Sequence, residues 1–247
     1  MLRAVLLLLA HLLMMTSNYA VSVSRGKRAV LWDVDGTLSD SFRLGYDSTL
    51  SVLKNVGVEI TEDQYHQGTK LTTPRRLAWH VTGNPDDPVG VDLGKQFDDL
   101  YVELVSTSTA PFYPGIPEVL DVVEKQDGVV LGALSNACGA YVQAVLRVNG
   151  VTGRFRIGLG ADEVPAAKPA PDGLLLICNR LGVDPSACIY IGDSPSDGQA
   201  AAAAGMKSVG VTWGSHPEST VRPAFTETVH TPDDLSRAIL TILDAMR

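Results

Sequence analysis

Four short polar clusters, each placed behind an apolar run, hold the residue types that phosphoryl chemistry needs. Asp33 and Asp35 stand two positions apart in Asp33-Val34-Asp35-Gly36-Thr37, directly after the apolar run Ala29–Trp32. Ser135 and Asn136 follow Val129–Leu134, and Lys168-Pro169 comes after Phe155–Leu159. Asp193 and Asp197 lie in Gly192-Asp193-Ser194-Pro195-Ser196-Asp197, after Cys188–Ile191. If the clusters converge, one site holds four carboxylates, a hydroxyl and a lysine. Crowded acids repel one another unless a cation sits among them, and oxygen donors without His or Cys suit Mg²⁺. A lysine there tempers the repulsion and can hold a phosphoryl oxygen. Ser135 and the amides behind it add donors to phosphate, and phosphoryl transfer depends on such positioning and charge neutralisation. A lone Asp-x-Asp-Gly also occurs in calcium loops and surface turns, so the ordered set carries the argument.

Those clusters need elements that bring them together. Ala29–Trp32, Val129–Leu134, Phe155–Leu159, Cys188–Ile191 and Ser208–Val211 are short, apolar and rich in β-branched residues, the pattern of parallel strands buried on both faces. Helical patterns alternate with them. Tyr141–Val148 stops at Asn149-Gly150, Pro171–Leu181 stops at Gly182, and Asp197–Ala204 stops at Gly205. A last helix starts with Thr231 as N-cap, Pro232 in the first turn and Asp233 and Asp234 behind it. Strands alternating with helices predict an α/β fold, an open parallel Rossmann-like sheet with the site at the carboxyl ends of its strands. Residues 41–110 break the alternation. They contain no convincing strand, but Phe42, Tyr46, Leu50 and Leu53 fall at helical spacing, Thr73-Pro74 opens a second helix, and Phe97, Leu100, Tyr101 and Leu104 mark a third. The expected organisation is a core of residues 28–40 and 111–247 with a helical cap, residues 41–110, inserted behind Asp33 and Asp35.

Composition bounds the rest. The 247 residues are 45% hydrophobic and 19% charged, a globular composition long enough for a sizeable core. A net charge of −8 disfavours a nucleic-acid partner. Residues 1–24 depart from this pattern: Arg3 precedes a mostly apolar run from Ala4 to Met15, with small or polar residues up to Ala20. That layout predicts a signal or organelle-targeting leader, too short for a comfortable membrane span. An uncleaved anchor, or initiation at Met14 or Met15, would leave the same sequence; without a leader the expected location is cytoplasmic. Cys138, Cys178 and Cys188 form neither a disulfide framework nor a metal-ligand spacing, which fits a reducing compartment and pulls against the leader.

Taken in order, DVDGT at 33–37, Ser135, Lys168 and GDSPSD at 192–197 resemble the four motifs of the haloacid dehalogenase superfamily. YPGIPEVL at 113–120, LSNACGAYV at 134–142 and AAKPAPDGLL at 166–175 resemble its phosphoglycolate phosphatase-like branch, whose members carry a helical cap after the first motif. The resemblance implies a Mg²⁺-dependent phosphatase of a small phosphorylated metabolite, with 2-phosphoglycolate favoured. It assigns Asp33 as nucleophile, forming an aspartyl-phosphate, and Asp35 as the group that protonates the leaving oxygen and later deprotonates water. The carboxylates of Asp33 and Asp193 and the main-chain carbonyl of Asp35 would ligate the metal, with Asp197 supporting it directly or through water. Ser135, Asn136 and Lys168 would hold the phosphoryl group. An acid at position 35 favours a phosphate ester over the substrates of dehalogenases and phosphonatases.

Other readings stay open at this stage. A β-phosphoglucomutase-like phosphotransferase shares both aspartates and the cap, and a noncatalytic binding protein shares the fold. Substrate choice is expected in the cap, where Lys70, Arg75 and Arg76 could meet a carboxylate or a second phosphate. Asp162 and Glu163 read as solvated loop acids, Trp79 and His80 as packing residues, and Trp213-Gly214-Ser215-His216 as part of the site rim. Oligomeric state is not legible in the sequence.

Overall fold

The computed structural model describes residues 27–246, so the leader expected over 1–24 lies outside the described residues. Six strands form one parallel sheet: β1 (Arg28–Trp32), β2 (Val129–Leu134), β3 (Phe155–Leu159), β4 (Cys188–Gly192), β5 (Lys207–Val211) and β6 (Glu227–Val229). Their order is β3-β2-β1-β4-β5-β6. β1 runs parallel to β2 on one side and β4 on the other, Trp32 standing level with Ala133 and with Ile191. The chain builds outward from β1 to β3, then crosses back to start β4 on the other side of β1. The sheet therefore reverses its winding between β1 and β4, the crevice where open α/β sheets bind ligands.

Both faces of the sheet are covered, and β1 shows how. Its residues alternate between two apolar clusters: Val30 and Trp32 pack with Ile189, Ile191, Val209 and Val211, whereas Ala29 and Leu31 pack with Leu134, Leu174, Ile177 and Tyr190. A strand buried on both faces must be apolar at every position, and each fully buried large aliphatic side chain contributes roughly 1.5–3 kcal/mol. The carboxylates therefore wait until the strand has ended.

Among the described residues ten helices surround and extend the sheet. Four follow β1: α1 (Phe42–Lys54), α2 (Glu62–Gly68), α3 (Thr73–Thr82) and α4 (Val89–Glu103). These make the helical cap. Then come α5 (Ile116–Glu124), α6 (Gly139–Val148), α7 (Asp172–Leu181), α8 (Pro195–Ala203), α9 (Glu218–Val221) and α10 (Pro232–Ala245). Terminal signals decide several boundaries: α3 stops at Gly83 with φ 77°, and Thr231 accepts the amide of Asp234 at 3.1 Å to start α10. α8 starts two residues before the expected Asp197. Ser194 is its N-cap, and Asp197 is the third helical residue in a reciprocal capping box.

The chain enters and leaves the cap through a paired neck. Asp40 donates its amide to the Pro111 carbonyl at 2.9 Å, Tyr113 donates to Leu38 at 2.9 Å, and Ser39 forms an antiparallel bridge with Phe112. Among the described residues no helix is long and apolar enough to cross a membrane.

Candidate active site

Gly36 starts the site, because the chain must turn sharply as β1 ends. Its φ is +77°, and a Cβ there would lie 2.3 Å from Asp193 Oδ2. Only glycine lets the turn after Asp35 close against the carboxylate at the end of β4. The result joins acids 160 residues apart in sequence: oxygens of Asp33, Asp193 and Asp197 lie within 4.8 Å of one another, all three side chains buried.

Lys168 is threaded into this cluster. Its ammonium donates to Asp33 Oδ1 at 2.5 Å, to Asp197 Oδ1 at 2.6 Å and to the Tyr190 hydroxyl at 3.0 Å, with only 5% of the residue exposed. Asn136 sets the lysine's backbone, accepting its N–H at 3.0 Å and donating to its carbonyl at 3.0 Å. Burial alone would lower the Lys168 pKa, but Asp197 and Asp33 together push it well above the ordinary lysine value. Asp33 is raised by burial and then by Asp197, against the pull of Lys168. Burial also raises Asp193, although His216 and the Ser215 amide hold its Oδ2 at 3.4 and 2.9 Å. Three buried acids crowd together while the Lys168 ammonium bonds only Asp33 and Asp197, an arrangement short of positive charge.

The donor set fits a hard divalent cation, since every candidate ligand atom is oxygen. The aspartates divide the work unequally. Asp197 accepts from Lys168 and Tyr190 on Oδ1, and from the Ser194 amide and hydroxyl at 3.0 and 2.7 Å on Oδ2. Its carboxylate is committed to the lysine and to the loop carrying Asp193. Asp33 and Asp193 are the less encumbered pair.

Asp35 sits apart from the cluster, half-buried, on the cap side. Ser135 donates to its Oδ2 at 2.9 Å. Its Oδ1 accepts three hydroxyls: Ser41 at 2.6 Å, Tyr101 at 2.9 Å and Tyr141 at 2.6 Å. Ser135 also accepts the Ala137 amide at 3.0 Å, so it caps the following turn as well.

A cavity of about 120 Å³ lies above these groups, bounded by core residues Asp33, Asp35, Ser135, Asn136, Lys168, Asp193 and Asp197 and by cap residues that include Tyr65, Arg76, Phe97 and Tyr101. Of the three expected cap cations only Arg76 reaches it. Arg75 is exposed and pairs with Asp86 at 3.0 Å, and Lys70 is exposed and outside the lining. The Arg76 guanidinium is 7% exposed, 5.0 Å from the Tyr65 ring centre and 4.7 Å from that of Phe97, and its Nε and Nη2 have no hydrogen-bond partner. Nearby Asp98 is pushed up to about 6, by burial before any other cause. From the core side, His216 lies against the cap's His66, ring centres 5.3 Å apart, and His66 Nε2 meets the Ser215 carbonyl at 2.5 Å.

Asp162 and Glu163 stay out of the acid cluster: Asp162 accepts the first amide of α6 at 2.7 Å, and Glu163 accepts the Gly160 amide at 3.0 Å. His80, lowered to about 4 by burial and then by Arg76, is a neutral packing residue beside Trp79. The sequence reading missed Tyr101, Tyr141 and Tyr190 as site residues. Tyr101 is expected only on a helical face and Tyr141 only at the start of a helix and within LSNACGAYV, and nothing local marks their hydroxyls as aimed at Asp35.

Comparison with known proteins adds a family. A family profile described as haloacid dehalogenase-like hydrolase matches residues 30–211. N-acetylmuramic acid 6-phosphate phosphatase of Pseudomonas aeruginosa is 32% identical over 193 residues, covering 77% of this chain and 84% of that protein. Phosphoglycolate phosphatase of Shigella boydii is 33% identical over 208 residues, covering 76% and 82%. Among solved structures, a β-phosphoglucomutase from Clostridium difficile superposes with a TM-score of 0.75 at 21% identity, over 89% of this chain and 98% of that one.

Proposed function

The chain belongs to the haloacid dehalogenase-like hydrolase family, and from that premise we propose that it is a Mg²⁺-dependent phosphomonoesterase working through an aspartyl-phosphate. The observation that carries the reading is the division of the two acids behind β1: Asp33 is buried against Lys168, and Asp35 is held on the cap side by hydroxyls. An Asp33 oxygen attacks phosphorus, and the bond from phosphorus to the ester oxygen breaks. Protonated Asp35 gives its proton to that oxygen, and the alcohol leaves. Asp35, now a carboxylate, takes a proton from water as the water attacks phosphorus. The bond to Asp33 breaks, inorganic phosphate leaves, and Asp35 is protonated for the next cycle. Lys168 and Ser135 hold the transferring group. Asn136 contributes by fixing Lys168, since its amide is engaged on both sides. Mg²⁺, held by Asp33, Asp193 and the Asp35 carbonyl, would neutralise charge developing on the phosphoryl oxygens.

Charge in the cavity favours 2-phosphoglycolate among small phosphate esters. Arg76 leaves two buried N–H-bearing nitrogens unpartnered, and a planar guanidinium matches a carboxylate in geometry and charge. Both named relatives are phosphatases of phosphorylated carboxylic acids.

The test is a panel of phosphate esters with purified protein and Mg²⁺, read as free phosphate. 2-Phosphoglycolate should lead the panel, and Asp33→Asn should abolish turnover while the fold is kept. Near-normal activity in that variant overturns the mechanism. Conversion of a hexose 1-phosphate without phosphate release would instead identify a mutase.

A further inference from the structure

Four hydroxyls from four different parts of the chain meet on one carboxylate, and their distribution is uneven. Asp35 Oδ1 takes Ser41, Tyr101 and Tyr141, whereas Oδ2 takes Ser135 alone. Ser41 precedes α1, Tyr101 is on cap helix α4, Tyr141 is on core helix α6, and Ser135 directly follows β2. The two phenol rings are stacked, centres 4.1 Å apart and planes inclined by 16°, with Phe97 against Tyr101 at 4.8 Å. Both tyrosines are buried, Tyr101 at 4% and Tyr141 at 0% exposure. Each phenol donates its O–H to the carboxylate. Three short bonds exhaust the accepting capacity of Oδ1.

We propose that Tyr101 and Tyr141 are positioning residues that make Oδ1 of Asp35 an anchor and leave Oδ2 as the oxygen that exchanges protons with the leaving group and with water. This rests on the phosphatase reading, in which Ser135 also serves the phosphoryl group. A serine hydroxyl has one proton to donate, so when Ser135 turns to a phosphoryl oxygen, Oδ2 loses its only donor and becomes available. Oδ1 keeps its three bonds, and the carboxyl plane cannot swing away. Tyr101 is the one donor supplied by a cap helix, so the acid is fully oriented only while α4 lies over the core.

The test uses Tyr101→Phe and Tyr141→Phe, which keep the stacked rings and remove one hydroxyl each. Phenyl phosphate and 4-nitrophenyl phosphate differ little in shape, but the first has the more basic leaving oxygen and depends more on a proton donor. In both variants the ratio of kcat/KM for 4-nitrophenyl phosphate to that for phenyl phosphate should rise about tenfold, part of the 10²–10⁴ a positioned acid supplies. In an Asp35→Asn background the same ratio should no longer respond to Tyr101→Phe, as expected for residues acting through one group. Equal losses on both esters, or an undiminished response without Asp35, overturn the proposal and leave the phosphatase reading standing. A wild type that releases phosphate from no ester, 2-phosphoglycolate included, overturns the phosphatase reading, and one that hydrolyses 2-phosphoglycolate but whose aryl-ester ratio is unmoved by either variant overturns the positioning role alone. Should Tyr101→Phe fail to fold, Tyr141→Phe decides by the same ratio.

Discussion

Replacing Lys168 by Met removes one charge, keeps the length of the side chain and leaves the acid cluster without its cation. The ammonium lies 2.5 Å from Asp33 and 2.6 Å from Asp197, with side-chain exposures of 3, 7 and 1% for the lysine and its two partners. Breaking a buried pair by removing one partner costs about 3–5 kcal/mol, because the remaining charge is stranded out of water. For a chain of this size each kcal/mol lowers Tm by about 2–4 °C, so Lys168→Met should melt ~6–20 °C below wild type in EDTA near neutral pH. The deficit should depend on pH with a definite sign. Burial already raises Asp33 and Asp193 in the wild type, and losing the ammonium raises Asp33 further. A carboxyl whose folded pKa lies above its unfolded value destabilises the fold when ionised, and the penalty fades as pH falls through the folded pKa. The gap between variant and wild type should therefore narrow from about pH 8 to about pH 5. Adding Asp197→Asn to Lys168→Met should recover part of the loss, a coupling expected for groups in direct contact. Circular-dichroism melts across that pH range are sufficient. A variant within about 2 °C of wild type throughout, or a deficit that grows on acidification, would refute the charge-compensation argument.

Other sites give sharper functional readouts. Arg76→Met should raise KM for 2-phosphoglycolate roughly 10–150-fold, the equivalent of a charged hydrogen bond worth about 1.5–3 kcal/mol, with a much smaller rise for phenyl phosphate; Arg76→Lys should restore only part. Gly36→Ala puts a Cβ 2.3 Å from Asp193 Oδ2 at a φ of +77°; it should cost at least about 1–2 kcal/mol in melts and raise the Mg²⁺ needed for half-maximal activity. Asp98, pushed up to about 6 mainly by burial, penalises the fold once ionised, so stability falls as pH rises from the ordinary carboxylate value to about 6 and levels off above it. Asp98→Asn should accordingly raise Tm by a few degrees at pH 8 and leave it nearly unchanged at pH 4.

The strand ends were legible because a strand buried on both faces has nowhere to put a charge. Asp33, Ser135 and Asp193 each follow directly on their strands, and the five expected strands match those observed to within a residue at either end. β6 was missed because Glu227–Val229 is three residues long with one buried apolar side chain, Val229. α2 was missed because its seven residues are mostly polar and bury only Tyr65 and Gly68. The cap cations could not be ranked because neighbours on a helix point about 100° apart: Arg76 turns into the cavity while Arg75 turns to solvent and Asp86. The hydroxyl ring around Asp35 was out of reach for a different reason. Tyr101 and Tyr141 lie 66 and 106 residues from Asp35, and a tyrosine on an apolar helix face looks the same whether or not its hydroxyl finds a carboxylate.

The paired neck at residues 38–40 and 111–113 separates two kinds of heredity in this chain. Both crossings into the cap are tied to each other, so the core's ends are already closed where the insert begins. Loop-closure entropy grows only slowly with the length spanned, so lengthening, shortening or exchanging the segment between Asp40 and Pro111 costs the sheet little. The chemistry-bearing strand ends can then be inherited unchanged while the lid above them is rewritten. A lineage, or a designer, can explore new substrates by grafting at one hydrogen-bonded seam, provided each new lid again offers Asp35 a hydroxyl.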